Sequence, residues 1–301
     1  MHLTETTDSR GRIVLLGTKG GPAVRRNGSW PTSSLMMIGG RTCVVDCGHG
    51  VSRGLIEAGV DLKVLDLIFI THLHSDHYLD LGPLLHTAWT TGLKSKVRLY
   101  GPQGIAAYWR NFLAAMEFDI AIRIADEGRP DLAGLVDVTE YGEGQVFSEP
   151  GLTVGALKVW HPPVTEAFAL RFEAPGCTAV FSGDTAHFPP LADFARGADV
   201  LVHEAMLAEG VESLIARTPN AGRLREHLYA SHTLAQEAGA IAAQAGVGHL
   251  VLNHLVPADD PAISSGDWES AVRKTWAGPL TIGRDGLAVA FGKDAQKKET
   301  S

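Results

Sequence analysis

The sequence predicts an α/β protein, because short apolar runs typical of buried strands alternate with segments typical of helices. The clearest stretch has a strand at 66–70, a helix at 81–91 and a strand at 97–100. A second observation is that several predicted strands are followed at once by histidine or aspartate. Since ligands bind outside the carboxyl ends of the strands in α/β sheets, the sequence predicts a functional site there.

The composition is that of an ordinary globular protein. The 301 residues are 45% hydrophobic and 20% charged, enough chain for one large domain or two. The net charge of −8 argues against a broad electrostatic grip on nucleic acid. The three cysteines suggest no disulfide framework, and the chain has neither a long apolar run nor an apolar N-terminal segment. We therefore expect a cytoplasmic protein that does not cross a membrane.

The N-terminal half opens with a strand at 13–16, followed by the glycine-rich segment 17–22. This segment lacks the spacing of a phosphate-binding P-loop, and we expect it to form a loop at the rim of the site. Further strands are predicted at 34–38, 42–45, 66–70 and 97–100. Helices are predicted at 51–58, 81–91 and 101–116, the last with Pro102 in its first turn.

The C-terminal half follows a charged, glycine-rich segment at 117–150, for which the sequence gives no firm prediction. Beyond it, strands are predicted at 152–160, 168–172, 178–181, 199–202, 249–252, 280–282 and 287–291. Helices are predicted at 233–245, which is rich in alanine, and at 268–276.

The segment that follows the strand at 66–70 is the most informative in the chain. It reads Thr-His-Leu-His-Ser-Asp-His over 71–77, which places three imidazoles and one carboxylate close together. Such ligands suit zinc, manganese or iron. The alternative is a polar loop with histidines by chance, but this spacing is improbable with 13 histidines in 301 residues.

Three more candidate ligands follow predicted strands at a distance in sequence, namely His161, Asp184 and His254. Taken alone, each histidine would more often be a surface or core residue, and Asp184 could equally be a turn residue. Their shared placement at strand ends favours a site. Together with the 71–77 segment they supply seven nitrogen and oxygen ligands, too many for one tetrahedral site but suited to two metals that share a carboxylate.

The pattern His72-x-His74-x-Asp76-His77, followed by His161, Asp184 and His254, resembles the metallo-β-lactamase superfamily, in its ribonuclease Z and arylsulfatase-like branch. Supporting stretches are Leu-Gly-Thr at 16–18, Asp-Cys-Gly at 46–48, Tyr-Gly-Pro at 100–102, Phe-Ser-Gly-Asp-Thr at 181–185, His-Glu-Ala at 203–205 and Ser-His-Thr at 231–233. The resemblance covers roughly residues 13–291. It implies an αββα sandwich with the site at one edge, as a single domain over 1–301 with flexible tails at 1–10 and 293–301.

The resemblance also implies roles for the site residues. One divalent cation would be bound by His72, His74 and His161. The other would be bound by Asp76, His77 and His254, with Asp184 bridging the two. Zinc is the expected metal, with manganese or iron as alternatives, and Asp46 would orient the ligand loops by hydrogen bonds.

The predicted catalytic residues are Asp76, Glu204 and His232. In the branch that this chain resembles, a carboxylate orients a histidine that protonates the leaving group, and Glu204 and His232 match that pair. The alternatives are a helix-start carboxylate for Glu204 and a neighbour of a helix N-cap for His232. The remaining histidines match no ligand position and are expected to be ordinary, and Trp89 and Trp109 are expected in the core.

The implied activity is metal-dependent hydrolysis, in which hydroxide shared by two cations attacks a small-molecule ester. Carboxylic esters, lactones, aryl sulfates and phosphodiesters are all candidate substrates, and segments 86–130 and 205–230 are expected to form the pocket. A homodimer is possible, as the branch is often dimeric.

The first alternative is a ribonuclease Z-like endonuclease that processes the 3′ end of tRNA. We favour it less, because residues 162–183 leave no room for the arm with which that family grips tRNA, and we do not expect nucleic acid to bind. A redox enzyme is disfavoured, because His74 stands where the di-iron flavoproteins of the superfamily have Glu. A metal-binding scaffold without catalysis is the remaining alternative.

Overall fold

The computed structural model of the protein describes residues 11–219 and 221–292, which form fourteen strands and ten α-helices. The strands are β1 (Gly11–Gly17), β2 (Ser33–Ile38), β3 (Arg41–Cys47), β4 (Leu67–Phe69), β5 (Val97–Gly101), β6 (Val136–Glu140), β7 (Gly144–Glu149), β8 (Leu152–Lys158), β9 (Phe168–Ala174), β10 (Cys177–Phe181), β11 (Val200–Met206), β12 (Leu250–Val256), β13 (Leu280–Ile282) and β14 (Ala288–Phe291). The helices are α1 (Val51–Glu57), α2 (Ser75–Tyr78), α3 (Leu81–Thr91), α4 (Ile105–Ala115), α5 (Glu117–Glu127), α6 (Pro190–Phe194), α7 (Ala208–Arg217), α8 (Leu224–Ser231), α9 (Ala235–Ala245) and α10 (Ser265–Val272).

The strands form two seven-stranded mixed sheets. The first has the order β14-β1-β2-β3-β4-β5-β6, and its strands β3 to β6 are parallel. The second has the order β13-β12-β11-β10-β9-β8-β7, and its strands β10 to β13 are parallel. Neighbouring parallel strands need crossover connections, which helices such as α1, α3 and α9 supply.

The two sheets pack face to face, and helices cover both outer faces. Alternate residues of β1 show why: Ile13 and Leu15 belong to the apolar cluster between the sheets, whereas Val14 and Leu16 belong to the cluster beneath the helices. A third apolar cluster joins the second sheet to α6, α9 and α10. The predicted αββα sandwich is confirmed, and Trp89 and Trp109 are buried in its core as expected.

Several helices differ from the sequence prediction. Helix α5 lies in the unassigned segment: Ile120 and Ile124 face the core, while Phe118 and Ile122 lie on the exposed side and obscure the amphipathic pattern. The predicted helix at 101–116 begins at Ile105 rather than at Pro102, because Gly104 at φ +107° precedes its first turn. The helices α6, α7 and α8 were not predicted.

The strands β11 and β12 extend beyond their predicted ends at 202 and 252. They pair with each other as far as Met206 and Val256, so Glu204 and His254 lie within strands rather than after them. The pairing register shifts between Glu204 and Ala205, and His254 has φ +44°. Such bulges redirect side chains, and here they accompany two of the predicted site residues.

The strands that precede the candidate ligands are not direct neighbours in one sheet. Strand β4 belongs to the first sheet, and β9 and β11 separate β8, β10 and β12 in the second. The three strands of the second sheet nevertheless run in the same direction, so their carboxyl ends reach the same edge.

Among the described residues, no helix is both long and apolar enough to cross a membrane. The predicted tails at 1–10 and 293–301 lie outside the described residues, and the prediction of one domain over 1–301 stays a prediction.

Candidate metal centre

The segment after β4 delivers its side chains into the interior of the sandwich edge. The one-turn helix α2 begins at Ser75 and turns Asp76 and His77 inward, where both are buried. His72 has no exposed surface, and His74 is partly exposed towards the cavity. A short strand followed by a single helical turn therefore brings four polar side chains of one segment to one point.

Three imidazole nitrogens from two sheets meet at the first half of the site. Nδ1 of His74 lies 3.1 Å from Nε2 of His72 and 3.0 Å from Nε2 of His161. Oδ2 of Asp184 lies 3.7 Å from Nε2 of His72 and 3.8 Å from that of His161. These four side chains thus place their donor atoms around a common centre.

The second group of donor atoms lies around the same oxygen, Oδ2 of Asp184. Oδ2 of Asp184 lies 3.3 Å from Nε2 of His77 and 3.0 Å from Nε2 of His254. Oδ2 of Asp76 lies 3.7 Å and 3.3 Å from the same two nitrogens. Asp184 therefore stands between the two groups, in the position of the bridging carboxylate that the resemblance implies.

Two of the ring nitrogens that face away from the centre have close oxygen partners. Nδ1 of His77 lies 2.8 Å from Oδ2 of Asp46, and Nδ1 of His161 lies 2.8 Å from the carbonyl oxygen of Ser231. If these Nδ1 atoms donate, each ring keeps a lone pair on Nε2 for the centre. Asp46 adopts φ +62° and also accepts the backbone N–H of Thr71 at 2.8 Å, so it ties β3 to the ligand segment.

The donor set fits a divalent metal. Burial lowers the pKa of His161 to about 4, which keeps its imidazole neutral, the form that binds metals. Nε2 of His77 and Oδ1 of Asp184 are buried without a hydrogen-bond partner in the described part of the chain, which is costly unless a cation satisfies them. The cluster is therefore a divalent-metal site by its chemistry. The assignment of the seven individual ligands stays a prediction.

A buried acid–histidine pair adjoins the second group. Nδ1 of His232 lies 3.1 Å and 3.0 Å from the two carboxylate oxygens of Glu204, and the backbone N–H of Thr185 donates to the same carboxylate at 2.8 Å. Burial opposes the charged form of His232, but the Glu204 carboxylate overcomes it and raises the pKa of His232 to about 9. The His232 ring stacks on His254 with centroids 5.4 Å apart.

A cavity of about 370 Å³ opens above these groups. Its lining comes from the glycine-rich loop after β1, from the ligand segment and from the 214–232 region with helices α7 and α8. The expected loop at 17–22 does lie at the site, and so does part of the expected 205–230 segment. The expectation for 86–130 was wrong, because α4 and α5 pack on the outer face of the first sheet instead.

Two cavity residues were missed by sequence reasoning. His227, which matched no ligand position, lines the cavity one helical turn before Ser231. Lys19 also lines the cavity, although only 4% of it is exposed. The signals available in the sequence were a lysine within the glycine-rich segment 17–22 and a histidine one turn ahead of Ser231-His232.

Comparison with known proteins agrees with this architecture. The family model described as anti-Pycsar protein Apyc1 matches residues 12–232. A ribonuclease Z of Mycobacterium marinum is 34% identical over 279 residues, which cover 91% of this chain and 96% of that one. The metallo-β-lactamase fold protein YhfI from Bacillus subtilis has a TM-score of 0.70 at 22% identity, over 93% of this chain and 99% of that one. The short form of human tRNase Z has a TM-score of 0.64 at 20% identity, over 92% and 98%.

The two facing sheets, with histidines and aspartates gathered at one edge, define a member of the metallo-β-lactamase superfamily. The solved structures share too little sequence with this chain to show more than the fold, but the M. marinum relative matches along most of both chains. The chain belongs to the ribonuclease Z branch of the superfamily and to the family that the Apyc1 model describes. It is therefore a metallo-hydrolase of this superfamily.

Proposed function

We propose that the protein is a metal-dependent phosphodiesterase. The observation that carries the proposal is the buried Glu204–His232 pair, which stands beside the predicted metal ligands at the edge of the cavity. Two cations, expected to be zinc with manganese or iron as alternatives, would be held by the residues that the sequence assigns to them. These are His72, His74 and His161 for one cation and Asp76, His77 and His254 for the other, with Asp184 shared.

When bound, two divalent cations supply Lewis acidity to the phosphoryl oxygens and to an attacking water. The protein holds the donors in place: Asp46 orients His77, the carbonyl oxygen of Ser231 orients His161, and the backbone N–H of Gly21 donates to Asp76 at 2.7 Å. This rigid support fixes the reacting groups before the substrate enters.

His232 is the group we assign to leaving-group protonation. Its Nδ1 is committed to Glu204, so Nε2 is the nitrogen left to hold a proton for the departing oxygen. Glu204 is 2% exposed and its other contact, with the N–H of Thr185, fixes its orientation. The pair therefore has the arrangement of a general acid with a carboxylate that positions it.

An RNA 3′ end is the first candidate substrate. The relative named ribonuclease Z matches this chain over 96% of its own length, so it carries no long arm that this chain lacks. The missing arm is therefore only a weak argument against tRNA processing, and the expectation that nucleic acid does not bind is weakened with it.

A small phosphodiester is the second candidate. Residues 162–183 are occupied by the β9–β10 hairpin and its short flanks, with no long insertion, and the cavity of about 370 Å³ is of the size that takes one nucleotide-like group. The net charge of −8 also disfavours a broad nucleic-acid surface. Carboxylic esters, lactones and aryl sulfates remain candidate substrates predicted from the resemblance.

The test offers the metal-loaded protein a precursor tRNA with a 3′ extension, bis(4-nitrophenyl) phosphate, 4-nitrophenyl acetate and 4-nitrophenyl sulfate. We expect phosphodiester cleavage that a chelator abolishes and added zinc or manganese restores. Cleavage at the tRNA 3′ end supports the first candidate, and cleavage of the small diester alone supports the second. Hydrolysis confined to the acetate or the sulfate, or none at all, would overturn the proposal.

A further inference from the structure

Lys19 is an almost fully buried lysine in the lining of the cavity. Only 4% of the residue is exposed, yet it lines the cavity. Its backbone is held firmly: its N–H donates to the carbonyl of Trp30 at 3.0 Å, and its carbonyl accepts the hydroxyl of Thr32 at 3.1 Å. The side chain is therefore held at the cavity by the surrounding fold and does not swing freely in solvent.

This ammonium lacks a close partner among the described residues. One carboxylate of that part of the chain lies within 4 Å of Nζ, Oδ2 of Asp259 at 3.5 Å. Charge-assisted hydrogen bonds are shorter, about 2.7–2.9 Å. Asp259 instead accepts the backbone N–H of Ser29 through Oδ1 at 2.9 Å, and its Oδ2 has no hydrogen-bond partner in the described chain. Lys19 thus keeps donor capacity that its burial makes costly to leave unused.

The loop that carries Lys19 lies directly on the predicted metal ligands. The backbone N–H of Gly21 donates to Oδ2 of Asp76 at 2.7 Å. A Cβ atom at Gly20 would come within 2.9 Å of the His254 imidazole, so the backbone there approaches the ring too closely for any side chain. The loop therefore places Lys19 close to the proposed reaction centre.

The charges around the cavity favour an anion. The carboxylates in its lining are Asp76 and Asp184, both of them predicted metal ligands whose charge the cations would offset. Lys19, the exposed Arg25 and the protonated His232 are cationic side chains of the lining. With metals in place, the net field at the cavity attracts negative charge.

We propose that Lys19 binds an anionic phosphoryl oxygen of the substrate and so makes the site selective for phosphate esters over neutral esters. This inference rests on the proposed phosphodiesterase function and assigns to Lys19 the selection of a negatively charged substrate. The Lys19 ammonium would donate to the oxygen while its ion pair with Asp259, at 3.5 Å, holds it in position.

The first test measures binding without turnover. Inorganic phosphate is titrated calorimetrically into the metal-loaded wild type, Lys19→Met, Asp259→Asn, and Lys19→Met/Asp259→Asn. Lys96→Met is the control, because it removes a lysine whose exposed pair with Asp137 lies away from the cavity. Since a charged hydrogen bond is worth roughly 10–100-fold in affinity, we expect Lys19→Met to weaken phosphate binding by that factor and Lys96→Met to leave it unchanged.

The double variant separates binding from a structural ion pair. If Lys19 serves only to balance Asp259, the double variant restores both thermal stability and phosphate affinity, and the inference is overturned. If Lys19 binds the anion, stability recovers but phosphate affinity stays low. The double variant also keeps the test decisive should Lys19→Met alone fold poorly.

The second test compares kcat/KM for bis(4-nitrophenyl) phosphate and 4-nitrophenyl acetate. We expect Lys19→Met to lower the kcat/KM for the anionic diester, relative to that for the neutral acetate, by roughly tenfold or more. Lys19→Arg should recover part of this loss. An unchanged ratio would overturn the inference. Absence of any phosphodiester cleavage, with phosphate binding still dependent on Lys19, would refute the proposed function and leave the anion site standing.

Discussion

The floor and the walls of the cavity are built in different ways. The floor consists of the seven predicted ligands. Six of them are buried, His74 is partly exposed, and neighbours such as Asp46 and the Ser231 carbonyl orient them. The walls are the loop at 17–25 and helices α7 and α8, many of whose side chains are partly or fully exposed. From this difference we infer that the buried floor sets the type of reaction, whereas the more exposed walls select the substrate.

The largest expected effect comes from removing a floor residue. His74→Ala and Asp184→Ala should each lose metal and activity together, because each deletes a donor at the point where the others converge. Metal content per chain and hydrolysis rate are measured side by side. His86→Ala is the matched control, since His86 pairs with Asp119 away from the cavity. Full activity in a metal-free variant would show that hydrolysis does not depend on metal bound by the floor residues.

The next effect concerns the acid pair. His232→Ala should keep its metal but lower kcat by roughly 10²–10⁴-fold, because the leaving group would depart without a positioned proton donor. Elemental analysis confirms the metal, and steady-state kinetics gives the loss. Glu204→Gln should lose less, since it keeps His232 and only weakens its orientation. Normal turnover in His232→Ala would exclude it as the acid.

A smaller effect is expected from residues that contact the predicted ligands without being ligands themselves. Asp46→Asn removes the carboxylate that contacts Nδ1 of His77 at 2.8 Å, and such outer partners are worth roughly 10–100-fold in metal affinity. Competition with a chelator measures the affinity. An unchanged affinity would show that the ligand segment keeps its geometry without this contact.

The smallest effect is expected in the walls. Leu224 lines the cavity from α8 and is only partly buried, so Leu224→Ala should raise KM on the order of tenfold or less and leave kcat and metal content unchanged. Ile56→Ala, on the exposed side of α1, is the control for surface truncation. A fall in kcat with unchanged KM would show that Leu224 affects the reaction step and not substrate binding.

The same contrast explains what the sequence could predict. The 72–77 segment was identified from spacing alone, because four donors share one short stretch. His161, Asp184 and His254 needed the resemblance as well, since their convergence depends on two sheets and on the bulge in β12, which no local pattern records. The αββα class followed from the alternation of strands and helices together with that resemblance.

The walls could not be predicted in this way. Lys19 lies in a glycine-rich loop without a recognised phosphate-binding spacing, and its importance arises from burial against segments distant in sequence. His227 enters the cavity because α8 packs with α7 beside β11, and both helices escaped prediction. Side chains that act through tertiary packing alone leave little periodic signal.

The central claim is that side chains from both sheets converge on a pair of cations. Diffraction from crystals of the metal-loaded protein, collected above and below the metal absorption edge, tests it most directly. We expect two anomalous peaks, one among His72, His74 and His161 and one among Asp76, His77 and His254, with Asp184 between them. No peak at this edge of the sandwich, or peaks only elsewhere, would contradict it.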